Sequence, residues 1–283
     1  MYKIIDGKKI ASEMRLKIRE DVNAYVKSSG KNITLAVVMA GDNPASQIYV
    51  RNKIKACEET GIKSLAYYLP EDVSQSALDS LLGELAENKN IDGILVQLPL
   101  PKHIDTAKSL KIIPEAKDVD GFSEINMGSL CMNKDCLVAC TPNGVMKMLE
   151  YEGISVSGKN AVVIGRSNIV GKPMAMLLLN ASATVTVCHS KTRNIKDICK
   201  SADIIVAAVG KAKFLTEDMV KDGAVVIDVG MNRDENGMLC GDADFENVKE
   251  KCSYITPVPG GVGPMTITML MYNTYMSALR STK

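Results

Sequence analysis

Ala161-Val162-Val163-Ile164-Gly165-Arg166-Ser167-Asn168-Ile169-Val170-Gly171-Lys172-Pro173 is the stretch on which the fold of this chain turns. An apolar run meets a glycine, a short polar turn follows, and a second glycine opens a helical pattern. Strand, turn and helix in that order are the context of a dinucleotide site. Gly165 permits the tight turn, and Gly171 lets the helix lie close to the strand. The helix N-terminus then faces a pyrophosphate. Ser167 replaces the middle glycine of the usual G-x-G-x-x-G pattern. Taken alone, the stretch fits a nucleotide loop or a βα turn that binds nothing.

The next strand separates those readings. NAD sites usually carry Asp or Glu at its end, about 20 residues on, to bond the ribose hydroxyls. Here the chain runs Val187-Cys188-His189-Ser190-Lys191-Thr192-Arg193, with no acid. Ser190 offers a hydroxyl beside basic residues, as a 2′-phosphate requires, and Arg166 adds a charge-assisted donor. The local reading is NADP rather than NAD. His189 reads as a partly exposed loop residue, and Lys191 and Arg193 also suit a solvated face.

Working outward, helical and strand patterns alternate almost throughout, as in α/β proteins. Ile10, Met14, Ile18, Val22, Tyr25 and Val26 recur at helical spacing, and Gly30 can end that helix. Residues 33–39 form an apolar run that suits a strand buried on both faces. A helix over 43–61, a strand over 63–69, a helix over 74–87 and a strand over 91–98 complete a first α/β unit. Residues 101–141 read as a polar, Pro-containing stretch. A helix then begins after Thr141-Pro142, with proline in the first turn, and ends near Gly153. The second unit has strands over 160–164, 184–188, 203–207, 224–229 and 254–256, with helices over 170–179 and 195–200. A last helix over about 264–279 can pack back on the first unit.

The 34 Lys and Arg against 33 Asp and Glu give a net charge of +1, which excludes general attraction to nucleic acid or anionic membrane. With no Trp and 3 Phe, stacking platforms for single strands are also absent. No segment has the apolar length needed to span a bilayer, and Met1 to Ile10 lacks an apolar signal region. The default is a cytoplasmic protein. Its 8 Cys contain no Cys-x-x-Cys pair, and Cys131, Cys136 and Cys140 fit no common zinc spacing. They read as reduced thiols, mostly core fillers.

Three further features carry chemistry. On the helix with Ser46 to Lys53, Ala45, Tyr49, Ala56 and Cys57 gather on one side, opposite Arg51, Lys55, Glu58 and Glu59. Lys53 falls on the apolar side, one turn after Tyr49. Desolvation there would draw its pKa toward neutrality and suit it to acid/base work. The bland alternative is a stem on apolar surface with the amine reaching water. Gln97 lies at the carboxyl end of a strand, where open sheets bind ligands. Asp118 and Asp120 flank Val119 before Gly121, a pattern for a metal on a phosphate or for a turn with one carboxylate as acceptor. Pro257 to Pro264 (PVPGGVGP) is stiff yet glycine-rich, and its backbone can approach a flat ligand.

Together these segments resemble the bifunctional methylenetetrahydrofolate dehydrogenase/methenyltetrahydrofolate cyclohydrolase family. The matching stretches are Pro44-Ala45-Ser46 with Tyr49 and Lys53, Val96 to Pro101 (VQLPLP), Lys117 to Phe122 (KDVDGF) and Thr141-Pro142. They continue with Gly165-Arg166-Ser167 and Val170 to Pro173, Cys188-His189-Ser190, Asp228-Val229-Gly230, and Pro257 to Thr266. They run in family order over nearly the whole chain. The resemblance implies two α/β domains with a folate cleft between them. Residues 1–141 plus the helix at about 264–283 would form the catalytic, folate-binding domain. Residues 142–263 would form a Rossmann-like NADP-binding domain.

It further implies oxidation of methylenetetrahydrofolate by NADP+ and hydrolysis of the methenyl product to 10-formyltetrahydrofolate. Lys53 would be the acid/base group, Tyr49 would stack on or orient the folate, Gln97 would tune Lys53, and Asp120 would take the pterin. Pro259, Gly260 and Gly263 would line the folate side. Thr141, Gly165, Arg166, Ser167, Gly171, Ser190 and Met231 would serve the cofactor. No metal is implied. By the same resemblance the protein is a cytoplasmic homodimer of one-carbon metabolism and purine biosynthesis. The rival expectations are a monofunctional NADP-linked dehydrogenase and a non-catalytic folate- or nucleotide-binding regulator on the same scaffold.

Overall fold

The structure is a computed structural model that describes residues 2–281. In chain order its elements begin β1 (Lys3–Ile4), α1 (Gly7–Ser29), β2 (Thr34–Ala40), α2 (Pro44–Thr60), β3 (Lys63–Leu69), α3 (Gln75–Glu87) and β4 (Gly93–Val96). Next come α4 (Thr106–Leu110), α5 (Glu124–Cys131), α6 (Cys140–Tyr151), β5 (Asn160–Ile164), α7 (Gly171–Asn180), β6 (Thr184–Cys188), α8 (Ile195–Lys200) and β7 (Ile204–Ala207). Last are β8 (Ala224–Asp228), β9 (Asn232–Arg233), β10 (Leu239–Cys240), α9 (Phe245–Val248), β11 (Cys252–Ile255) and α10 (Val262–Ser281). The chain divides into two compact units. Among the described residues no helix is long and apolar enough to cross a membrane.

One unit comprises Glu13–Ser129, Lys134–Cys140 and Ile267–Lys283. Its sheet is parallel in the order β3-β2-β4. Every residue of β2 is buried, which explains its unbroken apolar sequence. Leu78, Leu82 and Leu85 of α3 close one side of the core with Ala36, Val38, Ile94 and Val96. An isolated parallel bridge pairs Ile94 with Asp118, so the Lys117–Gly121 segment continues from the sheet edge. Lys117 Nζ donates to Ala86 O at 2.7 Å and Asn88 O at 2.8 Å, satisfying carbonyls at the end of α3 and anchoring that segment.

The other unit comprises Met1–Ser12, Leu130–Asn133 and Thr141–Thr266. Its six-stranded sheet has the order β1-β11-β8-β7-β5-β6, and every pairing is parallel. The chain steps from β5 outward to β6, then crosses to β7 on the other side of β5. This reversal is the topological switch at which open α/β sheets bind ligands.

Several expected boundaries move. The stretch 101–141, read as polar loop, contains α4 and α5, and the strand expected over 91–98 narrows to β4. Residues near the N-terminus, expected with the first domain, group with the six-stranded unit because β1 pairs with β11, Lys3 opposite Tyr254 and Ile4 opposite Ile255. A two-residue strand carries no periodicity to read. Met1 and the last two positions of the span 264–283 lie outside the described residues.

Candidate active site

The α2 helix starts cleanly. Asn43 caps it through Oδ1, accepting from Ala45 N at 2.9 Å and Ser46 N at 3.2 Å, with Pro44 next in line. Its buried residues are Ser46, Val50, Ala56, Cys57 and Thr60. The expected stripe through Ala45 and Tyr49 is therefore displaced: Ala45 is exposed and Tyr49 is 36% exposed. Positions 46, 50, 53, 57 and 60 share one helical face, so Lys53 does stand on the buried line, as the only charge there. It is half-buried.

Its partner is Gln97, which is buried just beyond β4. Lys53 Nζ donates to Gln97 Oε1 at 3.0 Å, and Gln97 Nε2 donates to Leu98 O at 2.6 Å. The second bond fixes the amide, so only its oxygen faces the amine. Leu98-Pro99 is cis, as is Val258-Pro259 in the other unit.

Of the two readings that the Asp118-x-Asp120 spacing left open, the hydrogen bonds fit the turn with one carboxylate as acceptor. Asp118 is buried and accepts from Gly121 N at 3.2 Å, Ser123 N at 2.6 Å and Asn126 Nδ2 at 3.3 Å. It is the turn acceptor. Asp120 is half-buried, and its carboxyl is pushed up to about 6. Burial is the main cause, the Lys53 charge pulls it back down, and Asp118 adds repulsion. Cys140 also belongs to this cluster. Its thiol donates to Val119 O at 3.2 Å, and burial holds its pKa well above the usual thiol value. A lysine side chain, a fixed amide and a carboxyl with raised pKa can bind an N–H face and move a proton.

In the six-stranded unit, Gly165 ends β5 with φ of +130°, and an added Cβ would lie 2.2 Å from Ala208 O, beyond β7. A Cβ on Gly171 would lie 2.3 Å from Gly165 O. Both glycines are thus required by close backbone approach. Ser167, in the place of the middle glycine, accepts through Oγ from Val170 N at 3.2 Å and Gly171 N at 3.3 Å at the start of α7. Gly165 N donates to Cys188 O at 2.8 Å, which ties the glycine turn to the end of β6. Arg166, Ser190, Lys191 and Arg193 are all exposed, and His189 is half-buried.

Two buried carboxylates build the rest of this face: Asp228, which stands in a matching stretch but received no role from the sequence, and Asp242, which the sequence reading missed. Asp242 accepts from Val209 N at 2.6 Å, Gly210 N at 3.0 Å and Lys211 N at 2.9 Å. Asp228 accepts from Gly230 N and Asp242 N at 2.9 Å each and Ala243 N at 2.8 Å. Burial pushes Asp228 up to about 6 against those amides. Together they fix the loops after β7 and β8, and Met231 is half exposed beyond them. Thr141 Oγ1 meets Thr266 Oγ1 at 2.9 Å. In the Pro257–Gly263 loop, Lys8 N donates to Gly260 O at 3.1 Å, and Pro259 is exposed. The expected site residues thus fall into two groups, Tyr49, Lys53, Gln97 and Asp120 in one unit and the remainder in the other.

A parallel sheet with a switch point, a glycine turn that admits no Cβ, and basic and hydroxyl groups at the next strand end define a dinucleotide-binding α/β protein. The description "Tetrahydrofolate dehydrogenase/cyclohydrolase, catalytic domain" matches residues 5–120, and that of the same family's NAD(P)-binding domain matches residues 139–282. A bifunctional protein FolD from Campylobacter concisus is 60% identical over 279 residues, 98% of this chain and 97% of that protein. The bifunctional FolD methylenetetrahydrofolate dehydrogenase/cyclohydrolase structure from Campylobacter jejuni superposes with a TM-score of 0.96 at 50% identity, covering 99% of this chain and 100% of the other. The Trypanosoma brucei methylenetetrahydrofolate dehydrogenase-cyclohydrolase, complexed with NADP cofactor and inhibitor, gives 0.94 at 38% identity over 100% and 99%. The chain belongs to the tetrahydrofolate dehydrogenase/cyclohydrolase family. It is accordingly an enzyme with both dehydrogenase and cyclohydrolase activity on folate.

Proposed function

We propose that this chain oxidises 5,10-methylenetetrahydrofolate to the 5,10-methenyl cation with NADP+ as acceptor and then hydrolyses that cation to 10-formyltetrahydrofolate, with the residues in the following roles. The observation that carries the assignment is the Lys53–Gln97 pair in one unit with the Asp120 carboxyl. Gly165, Gly171 and Ser167 would form the phosphate turn, Arg166 and Ser190 would hold a 2′-phosphate, and Thr141 and Met231 would complete the cofactor contacts. When bound, NADP+ supplies the hydride acceptor for the methylene carbon. The absence of an acid after β6, with basic side chains in its place, supports NADP over NAD.

Asp120 accepts adjacent ring and exocyclic N–H groups of the pterin as a fork. Tyr49 orients the folate, and family resemblance gives Pro259, Gly260 and Gly263 folate contacts as well. In hydrolysis, water oxygen bonds to the methenyl carbon while the Lys53 amine takes its proton. The hydroxyl of the resulting adduct then loses its remaining proton to solvent as the formyl C=O forms, the carbon–N5 bond breaks with its electron pair going to nitrogen, and Lys53 returns the first proton to N5. Gln97, its amide fixed by Leu98 O, holds one Lys53 N–H and leaves the rest of the amine to water. Family resemblance supports a cytoplasmic homodimer that yields formyl units for purine biosynthesis.

Initial rates test the dehydrogenase half. Purified protein with methylenetetrahydrofolate should reduce NADP+ with kcat/KM at least about tenfold above that for NAD+, the worth of one charge-assisted contact. A preference for NAD+ would overturn the 2′-phosphate assignment, and no reduction with either would leave a folate or nucleotide binder.

Asp120 gives a pH prediction. Its carboxyl is charged above about 6 and protonated below. The charged form accepts both pterin N–H groups, so kcat/KM for the folate should fall about tenfold per pH unit below that value. Asp120→Asn cannot titrate and should lose this acid limb together with most of the affinity. A wild-type profile flat down to about pH 5 would contradict the role.

A further inference from the structure

Asn273 of α10 is 2% exposed and none of the chemistry above uses it. A side-chain amide has two N–H donors. Here Nδ2 donates to Val119 O and to Val138 O, each at 2.8 Å, and lies 3.6 Å from Cys140 Sγ. Those carbonyls belong to two segments that meet around one residue. Val119 immediately precedes Asp120, and Cys140 N donates to Asp120 O at 3.2 Å. Val119 O also takes the Cys140 thiol. There is no slack between the segments: a Cβ on Gly121 would stand 2.4 Å from Ala139 N. On the far side the turn is tied by Asp118 to Gly121 N and Ser123 N. The Asp120 peptide is therefore held from two directions, and Asn273 is the side chain that donates to both the Val119 and the Val138 segments.

We propose that Asn273 is a positioning residue for the folate reaction, clamping the Val119–Asp120 peptide to the Val138–Cys140 segment so that the Asp120 carboxylate is held for the pterin. The inference rests on the reading that Asp120 binds the pterin. Asn273 touches no reacting group and acts only through the peptide it fixes. A buried amide in a helix whose neighbours Thr274 and Ser277 bond to main-chain oxygens has no apolar packing task that leucine could not perform. Its distinct contribution is the pair of donors.

Asn273→Leu keeps the volume and removes both donors. The expected result is a rise of about tenfold or more in KM for methylenetetrahydrofolate, with KM for NADP+ unchanged and kcat altered much less. Asn273→Ser restores one shorter donor and should recover part of the loss. The double variant Asp120→Asn/Asn273→Leu should bind folate no more weakly than Asp120→Asn alone, because the clamp has nothing left to position. If Asn273→Leu does not fold, Asn273→Ser is read against wild type in the same way, with an intermediate rise in folate KM expected.

An unchanged folate KM in the folded variant, equal rises in KM for folate and NADP+, or independent losses in the double variant would overturn the proposal. The two claims fail differently. If Asp120→Asn leaves folate binding intact, the Asp120 assignment falls. If Asp120→Asn weakens it while Asn273→Leu does not, only the clamp falls.

Discussion

Lys53→Met should lose hydrolysis of the methenyl cation by about 10²–10⁴-fold, the range typical of removing a general acid/base group. Methionine matches the lysine stem in length and remains apolar on the buried line of α2, beside Val50 and Cys57. The fold should therefore survive. What disappears is the amine that takes the water proton and returns it to N5, together with the donor to Gln97 Oε1. Hydride transfer needs the two carbons close together and little proton traffic, so dehydrogenase activity should persist in part. Decay of added methenyltetrahydrofolate checks the first statement, and reduction of NADP+ checks the second. Hydrolysis at the wild-type rate would remove Lys53 from the chemistry.

Gly165→Ala should have the second large effect, and on the opposite activity. Two costs coincide at this position. A φ of +130° is strained for any L side chain, and the added Cβ would lie 2.2 Å from the Ala208 carbonyl oxygen. Because Ala208 N donates to Ile164 O at 2.8 Å, the neighbouring strand end cannot yield without breaking the β5–β7 register. A stability loss of about 2–5 kcal/mol is expected from strain and overpacking together. The urea midpoint should fall with little change in slope. KM for NADP+ should rise more than tenfold or so, since the turn that faces the pyrophosphate is displaced. Hydrolysis of supplied methenyl compound by folded protein should change far less, because Lys53, Gln97 and Asp120 lie in the other unit. Equal loss of both activities at full folding would contradict that separation.

These two residues show what was legible in the sequence. Gly165 could be read because a strand buried on both faces is an unbroken apolar run, and the glycine that ends it is conspicuous. Lys53 could be read because a charge on the side with Ala45, Tyr49, Ala56 and Cys57 breaks a pattern, although the buried line it occupies runs through Ser46, Val50, Cys57 and Thr60. The orientation of that helix was less legible. Ala45 and Tyr49 are apolar yet exposed, while Ser46 and Thr60 are polar yet buried, so composition pointed the buried stripe about one position away. Thr60 Oγ1 explains its own burial by donating to Ala56 O.

Other parts left no local mark. Asp242 binds main-chain amides of the loop after β7, far back along the chain, and nothing in its spacing distinguishes it from a surface acid. The same holds for Asn273, whose partners lie 154 and 135 residues away. The two residues of β1 were invisible for a different reason, being too few to show a period. Asp118-x-Asp120 could be narrowed to two roles from its spacing, and the hydrogen bonds of Asp118 then separated them.

The central claim is that one chain carries methylenetetrahydrofolate through both steps, and stoichiometry in a single mixture tests it most directly. Wild-type protein would be supplied with methylenetetrahydrofolate and NADP+, while reduced cofactor, methenyl intermediate and 10-formyl product are followed together. The expected result is equal amounts of reduced cofactor and 10-formyl product, with the intermediate consumed faster than in a protein-free control. Reduced cofactor matched by methenyl compound that decays only at the protein-free rate would contradict the account.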